Sequence, residues 1–191
     1  MLSAFLLAAA LATVQPSQAP ATVPVANNTE MTAMFDADQA IRKASGPADW
    51  DKMAADDKTR RERTRVLLDT GKISTADDFH NAAFIFQHGG TADDYLLAHS
   101  LALAAVARGR AKSAWIAAAT LDRYLQEIGK PQIYGTQYTV PEGKMATQDP
   151  FHRALVPDFL RKTLGVPTLV EQEKRRQMIE ALHKEKTAVT K

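Results

Sequence analysis

His88, Asp122 and Arg123 have the side-chain types that could do acid–base chemistry in this chain. A histidine exchanges protons near neutral pH, an inward carboxylate can act as a base, and a guanidinium beside either can hold an anion. Asp122 lies on the helical stripe Trp115–Ala118–Asp122–Leu125, among residues expected to face inward. Burying a carboxylate without a partner is costly, so one must exist. Arg123 follows directly but points about 100° away around a helix. The better candidates are Arg42 and the amides of the Gln132–Gln137 loop. Two readings stand. One is a buried polar network that fixes helix order. The other is a pocket in which Asp122 or His88 exchanges protons and Arg42 or Arg123 holds an anion.

The loop "KPQIYGTQYTV" (130–140) follows an alanine-rich helical pattern and carries hardly any charge. Gly135 permits a turn, Tyr134 and Tyr138 supply rigid contact area, and Gln132 and Gln137 each donate and accept. Such a set suits recognition of a neutral polar group or satisfaction of buried helix ends. Asp38, Gln39 and Arg42 form a second polar group, with Asp38 and Arg42 at i,i+4. Gln87 precedes His88, which lies near a helix C-terminus where the macrodipole favours the imidazolium. His99, on an apolar helix, reads as a hydrogen-bonded core histidine. His80, His88 and His99 have no zinc-binding spacing, so no metal is expected, nor any cofactor. No Gly-x-Ser-x-Gly elbow and no cysteine offers a nucleophile.

These residues need helices to position them. Met34, Ala37, Ile41 and Ala44 recur at helical spacing, and Gly46-Pro47 ends that helix. A second helix starts near Trp50. Its "DDKTRRERTR" segment pairs Asp56 with Arg60, Asp57 with Arg61 and Lys58 with Glu62, which reads as a self-paired, solvated face. Gly71 caps it. Ser74 with Asp77 and Thr91 with Asp94 resemble capping boxes. Gly90, Gly109 and Gly129 close three helices near 75–88, 92–108 and 111–128, with short connections that make neighbours antiparallel. The middle one, apolar almost all round, is expected to be the most buried, and Ala117–Ala119 would let a neighbour approach closely. Asp149-Pro150 reads as a helix start that Pro157 interrupts, and Gly165 ends a short helix. Thr168 with Glu171 caps a surface helix reaching about Lys186. The expectation is all-α: a single bundle of antiparallel helices over 33–186 with a loop-rich C-terminal third.

The chain has 191 residues, 45% hydrophobic and 24% charged, enough for one domain with a core. A net charge of +2 is too mild to predict nucleic-acid binding. "MLSAFLLAAALATV" followed by "QPSQAPA" has the pattern of a secretory signal peptide over 1–21, with an Ala19-x-Ala21 cleavage site, although no Lys or Arg precedes the apolar run. The run is too short to span a bilayer, so no stable membrane anchor is expected after cleavage. The mature protein would be periplasmic or secreted. Residues 22–32 read as a flexible end and 187–191 as a disordered tail.

"DADQAIR" (36–42), "NAAFIFQHGG" (81–90), "LDRYL" (121–125), "PQIYGTQY" (131–138) and "LGVPTL" (164–169) together resemble a bacterial helical family of unknown function. That family is marked by Asp-Arg followed by Gln-x-Tyr-Gly-Thr-Gln. The resemblance implies Asp38, Gln39, Arg42, Gln87, His88, Asp122, Arg123, Gln132, Tyr134, Gly135, Thr136 and Gln137 as the marked positions. Beyond Tyr138 the chain departs from the pattern: a strand-like segment and an Arg-Arg pair are expected, but only Arg161-Lys162 stands there.

Three functions follow. The first is an exported protein binding a small polar ligand or peptide end at a polar pocket around Asp122 and the Gln132–Gln137 loop, with Asp38, Gln39, Arg42, Gln87, Gln132, Tyr134, Thr136 and Gln137 as the binding residues. The second is a hydrolase or transferase with His88 or Asp122 as base and Tyr134 or Arg123 polarising the substrate. The third is a structural module that engages a protein partner.

Overall fold

The structure is a computed structural model and describes residues 25–44, 46 and 49–189. The expected signal peptide and the helix-ending role of Pro47 lie outside the described residues. The fold is all-α. The helices are α1 (Thr29–Lys43), α2 (Trp50–Asp69), α3 (Ala76–Phe86), α4 (Ala92–Ala107), α5 (Ala114–Glu127), α6 (Asp158–Thr163) and α7 (Leu169–Val189), with a 3₁₀ turn at Ala111–Ser113. No strand forms among the described residues. Residues 128–157 carry only isolated bridges, Gln132 with Phe151 and Thr139 with Thr147.

Local signals account for most of the boundaries. The Asn28 side chain accepts from Met31 N–H, so α1 begins at Thr29. Thr29–Thr32 is therefore helical rather than a flexible end, and Met31 is fully buried. Fully buried Asp78 fixes the entry by accepting from Asn28 N–H at 2.8 Å and Thr75 N–H at 3.1 Å. Thr75 and Asp78, one residue beyond the expected pair, make the capping box of α3. At α4 the Thr91 hydroxyl caps Asp94 N–H, but the Asp94 carboxylate turns to Gly90 N–H, so half of that box forms. Gly109 and Gly129 sit at φ 97° and 70° and close α4 and α5, with the next residue's N–H returning to Ala105 and Leu125. Gly90 does not cap α3, which stops at Phe86.

The core joins Met31, Leu67, Ile73, Ala82, Ile85, Phe86, Leu101, Ile116 and their neighbours, drawn mainly from α3, α4 and α5. The most buried helices are α3 and α5, not α4. Leu96 and Leu103 of α4 face out, because its uniformly apolar sequence exceeds what its two neighbours can cover. Ala117–Ala119 are buried and admit close neighbours: His99 Nδ1 meets the Ala117 carbonyl at 2.8 Å and Gln137 Nε2 meets that of Ala119 at 3.3 Å. Because a carbonyl only accepts, His99 is a hydrogen-bonded packing residue with its proton on Nδ1. Trp115, expected inward with Asp122, is 39% exposed.

The C-terminal part departs further from expectation. Asp149-Pro150 starts no helix. Instead Pro150 carbonyl accepts from Gln132 N–H, and His152 N–H returns to Gln132 carbonyl. Pro157 opens α6 instead of interrupting a helix. The Thr168–Glu171 cap forms as expected, with Glu171 accepting from Thr168 N–H at 2.7 Å. From there α7 continues to Val189, so Thr187–Val189 belong to the helix.

Candidate functional site

Asp122 is fully buried on α5, and its carboxylate accepts four hydrogen bonds from one turn. Oδ1 takes Ile133 N–H at 2.8 Å and Tyr134 N–H at 2.9 Å. Oδ2 takes Thr136 N–H at 2.9 Å and the Thr136 hydroxyl at 2.8 Å. Its partners are thus the loop amides, not Arg42. On the other side of the same turn, fully buried Arg161 donates to the carbonyls of Tyr134 and Ile133. Three N–H groups of the turn face a carboxylate and two of its C=O groups face a guanidinium, and the Ile133–Tyr134 peptide lies between the two charges, C=O to Arg161 and N–H to Asp122.

The glutamines complete this network. Gln132 is fully buried, accepts from Gln137 N–H at 3.0 Å and donates to the carbonyls of Gln137 and Gln148. Gln172 of α7 donates to Tyr134 and Pro167 carbonyls, both at 2.8 Å. Gly135 sits at φ 77°, and a Cβ there would collide with the Gln172 amide and the Phe151 ring. Asp122, Gln132, Thr136 and Gln137 therefore hold the turn on α5. With all its acceptor positions engaged and no exposed surface, Asp122 is not placed to take a substrate proton. Gln148, Arg161 and Gln172 were not singled out from sequence. Only the chemistry of the turn, which needs acceptors for its amide N–H groups and donors for its carbonyls, calls for them.

A different group of residues surrounds a cavity of about 430 Å³ lined by Ile41, Arg42, Trp50, Met53, Asp57, His88, Arg123 and flanking small residues. Arg42 bridges two carboxylates, Asp38 Oδ1 and Asp57 Oδ2, at 2.6 Å each. Gln39 donates to Asp38 Oδ2 at 2.9 Å, and Arg60 reaches Asp57 at 3.0 Å. Asp57 thus pairs with Arg42 and Arg60 rather than Arg61. Arg61 donates to His88 carbonyl at 2.7 Å and caps the exit of α3. The charge run of α2 is accordingly only partly a solvated face, since Asp57 is buried.

His88 lies two residues past α3, with Nε2 buried and 3.6 Å from Asp38 Oδ2, too far for a hydrogen bond. Burial first, then the guanidiniums of Arg42, Arg123, Arg61 and Arg60, push its pKa down to about 3. The imidazole is therefore neutral at pH 7. The helix-dipole expectation of an imidazolium is reversed, because a terminus contributes about 0.3–1 kcal/mol and these opposing effects are larger. Asp38 is raised from its ordinary value, by burial before any charge. Arg123 lines the same cavity with no carboxylate within ion-pair distance among the described residues, and its Nε is buried without a partner.

Asp38, Gln39, Arg42, His88 and Arg123 are thus brought together from α1, α5 and the turn after α3. Gln132, Tyr134, Thr136 and Gln137 gather with Asp122 on the loop. Gln87 is buried beside His88 in sequence but does not line the cavity. No cluster of three or more metal-ligating side chains occurs among the described residues, and no described helix is long and apolar enough to cross a membrane. Comparison with protein-family models, with curated proteins and with solved structures finds no match for this chain.

Proposed function

We propose that this protein binds a small molecule or peptide end bearing a carboxylate or phosphate head in the Arg42–His88–Arg123 cavity. One observation carries the reading: Arg123 brings an unpaired guanidinium to the cavity, where the carboxylates of Asp38 and Asp57 are already engaged by Arg42 and Arg60. An unpaired cation in a part-buried site favours an anionic occupant. Ile41, Met53, Ala54 and the exposed Trp50 form an apolar wall, suited to a ligand with a hydrophobic body behind its acid head. The polar pocket expected around Asp122 and Gln132–Gln137 is relocated, since that network satisfies itself. Export of the mature chain belongs to the same proposal, and N-terminal sequencing of protein recovered outside the cytoplasm tests it.

Isothermal titration with benzoate and phenyl phosphate, against benzyl alcohol and benzamidine, checks the ligand class. The two anions are expected to bind and quench Trp50, and Arg123→Ala to abolish both effects. Equal binding of benzamidine, or binding indifferent to Arg123, would sink the reading.

A further inference from the structure

We propose that the groove between α6 and α7 is a docking site for an amphipathic helix with an acidic flank, supplied by another protein. The groove encloses about 820 Å³ and has an apolar floor of Val166, Pro167, Met178, Ile179 and Leu182. Arg175, Met178, Ile179 and Leu182 follow the i, i+3, i+4, i+7 spacing of one helix face, so the floor is a continuous stripe. Met178 is 63% exposed and Leu182 52%. The first half of α7 is tied down by Gln172 and by Arg176, which donates to Ala146 carbonyl at 2.9 Å. Past Arg176, the described side-chain hydrogen bonds of α7 stay within the helix. An apolar stripe of this length left facing water marks an interaction surface.

The rim says what kind of partner fits. Lys162, Lys174 and Arg175 border the groove, and none of them has a carboxylate within ion-pair distance among the described residues. Arg175 instead lies over the Tyr138 ring at 5.7 Å. The one rim carboxylate, Glu171, is occupied by the Thr168 N–H and hydroxyl, both at 2.7 Å. A partner helix laying leucines into the stripe would therefore meet three cations without a carboxylate partner, which favours Glu or Asp beside its apolar face. A second copy of this chain brings the same cations to a symmetric contact and is disfavoured by like charge.

The test uses the full chain and two labelled 20-residue probe peptides with leucines at i, i+3, i+4 and i+7. One carries glutamates on its polar face and the other lysines. Fluorescence anisotropy is expected to show the acidic peptide binding and the basic one not. Met178→Glu should weaken binding at least about tenfold, as for a central apolar anchor. Lys174→Glu should weaken it about threefold or more and make the remaining affinity less sensitive to salt. Both positions are exposed, so folding is not at risk, and circular dichroism confirms it. Equal binding of the two peptides, or binding indifferent to Met178→Glu, overturns the proposal. So does concentration-dependent self-association lost in Met178→Glu, which would assign the groove to a second copy. Binding of phosphatidylserine vesicles with none of the acidic peptide would overturn it in favour of an anionic membrane.

Discussion

Asp122 and Arg123 are neighbours on α5, yet they belong to two polar clusters built on opposite terms. Around Asp122, a carboxylate and the guanidinium of Arg161 clamp a turn, the buried glutamines between them find partners, and the one nitrogen left without a hydrogen bond, Arg161 Nε, lies 3.5 Å from the Asp158 carboxylate. Around Arg123, four guanidiniums crowd a neutral imidazole beside two carboxylates, buried nitrogens of His88 and Arg123 go without hydrogen bonds, and Arg123 has no carboxylate in ion-pair range among the described residues. A network whose buried charges are paired holds a fold rigid, whereas an unpaired part-buried cation holds free energy that an anionic ligand can release. A pair of adjacent residues thus separates the part of the protein that holds structure from the part that offers binding. The comparison breaks if either cluster behaves like the other.

The largest effect is expected at Asp122. Asp122→Ala leaves three turn amides and the Thr136 hydroxyl without their acceptor, while Arg161 keeps its nearer carboxylate, Asp158. A loss of about 3–5 kcal/mol is expected, as when several buried donors are left unpaired. Urea unfolding measures it. Asp122→Asn should also destabilise, because its NH₂ would face N–H donors. A variant that unfolds at the wild-type midpoint would show that the turn does not depend on the clamp. Gly135→Ala comes next. The positive φ and the collision with Gln172 and Phe151 predict a loss of about 2–3 kcal/mol. Both losses should appear without weakening the affinity of benzoate once the variants are fully folded, since the cavity lies on other residues.

The helices were legible because their signals are local. Thr91, Thr168, Gly109 and Gly129 act on their own turns, and apolar periodicity marks α1; Asn28, inside the stretch read as flexible, and Thr75, one residue past the pair read as a box, were missed. Asp122 was also legible as a buried carboxylate in need of a partner, though Arg42 and the loop amides both stood as candidates. The depth of each helix was not. Whether Leu103 or Trp115 faces out depends on which neighbours arrive, and no local pattern states that. Asp57 shows the same limit: i,i+4 spacing offers it Arg61, but α1 delivers Arg42, and tertiary placement wins. Arg161 and Gln172 contact the turn from about 27 and 38 residues away, a separation that no helix period encodes. The cavity is lined from α1, α2, α5 and the turn after α3, so sequence could name Arg42, His88 and Arg123 but neither the wall of Ile41, Trp50 and Met53 nor their separation from the Gln132–Gln137 loop.

His88 supplies a smaller effect with a definite sign. Its pKa falls from 6.5 in the unfolded chain to about 3 in the fold. Between those values the unfolded state holds more protons, so stability is fully present above pH 6.5 and is lost as the pH falls towards 3. His80, lowered to about 4 by burial, contributes in the same direction. Asp38, raised by burial, works in the opposite sense. In His88→Gln the slope of stability between pH 6.5 and 4 should shrink by about 1–2 kcal/mol, below the full equivalence of the shift because the ring is partly exposed. Unfolding midpoints across that range give the slope. An unchanged slope would mean that the imidazole is charged in the fold and that the cluster is better satisfied than its geometry indicates.

The smallest effect makes the sharpest contrast. Arg123 is one residue from the most sensitive position on α5, and a residue that merely packed there would be expected to matter similarly. Its guanidinium, however, shares the cavity with Arg42 and lies near His88 with Arg60 and Arg61, and has no carboxylate of its own in ion-pair range among the described residues, so removing it relieves repulsion while giving up part of its packing. Arg123→Ala should therefore change stability by no more than about 0.5 kcal/mol in either direction. It should also raise the pKa of His88, because one of the four opposing charges is gone, and a histidine titration by NMR would show the rise. A large loss of stability in this variant would place Arg123 in the same satisfied network as Asp122. Near-neutral stability with a raised His88 pKa would instead mean that the cation is held where it serves an incoming anion rather than the fold.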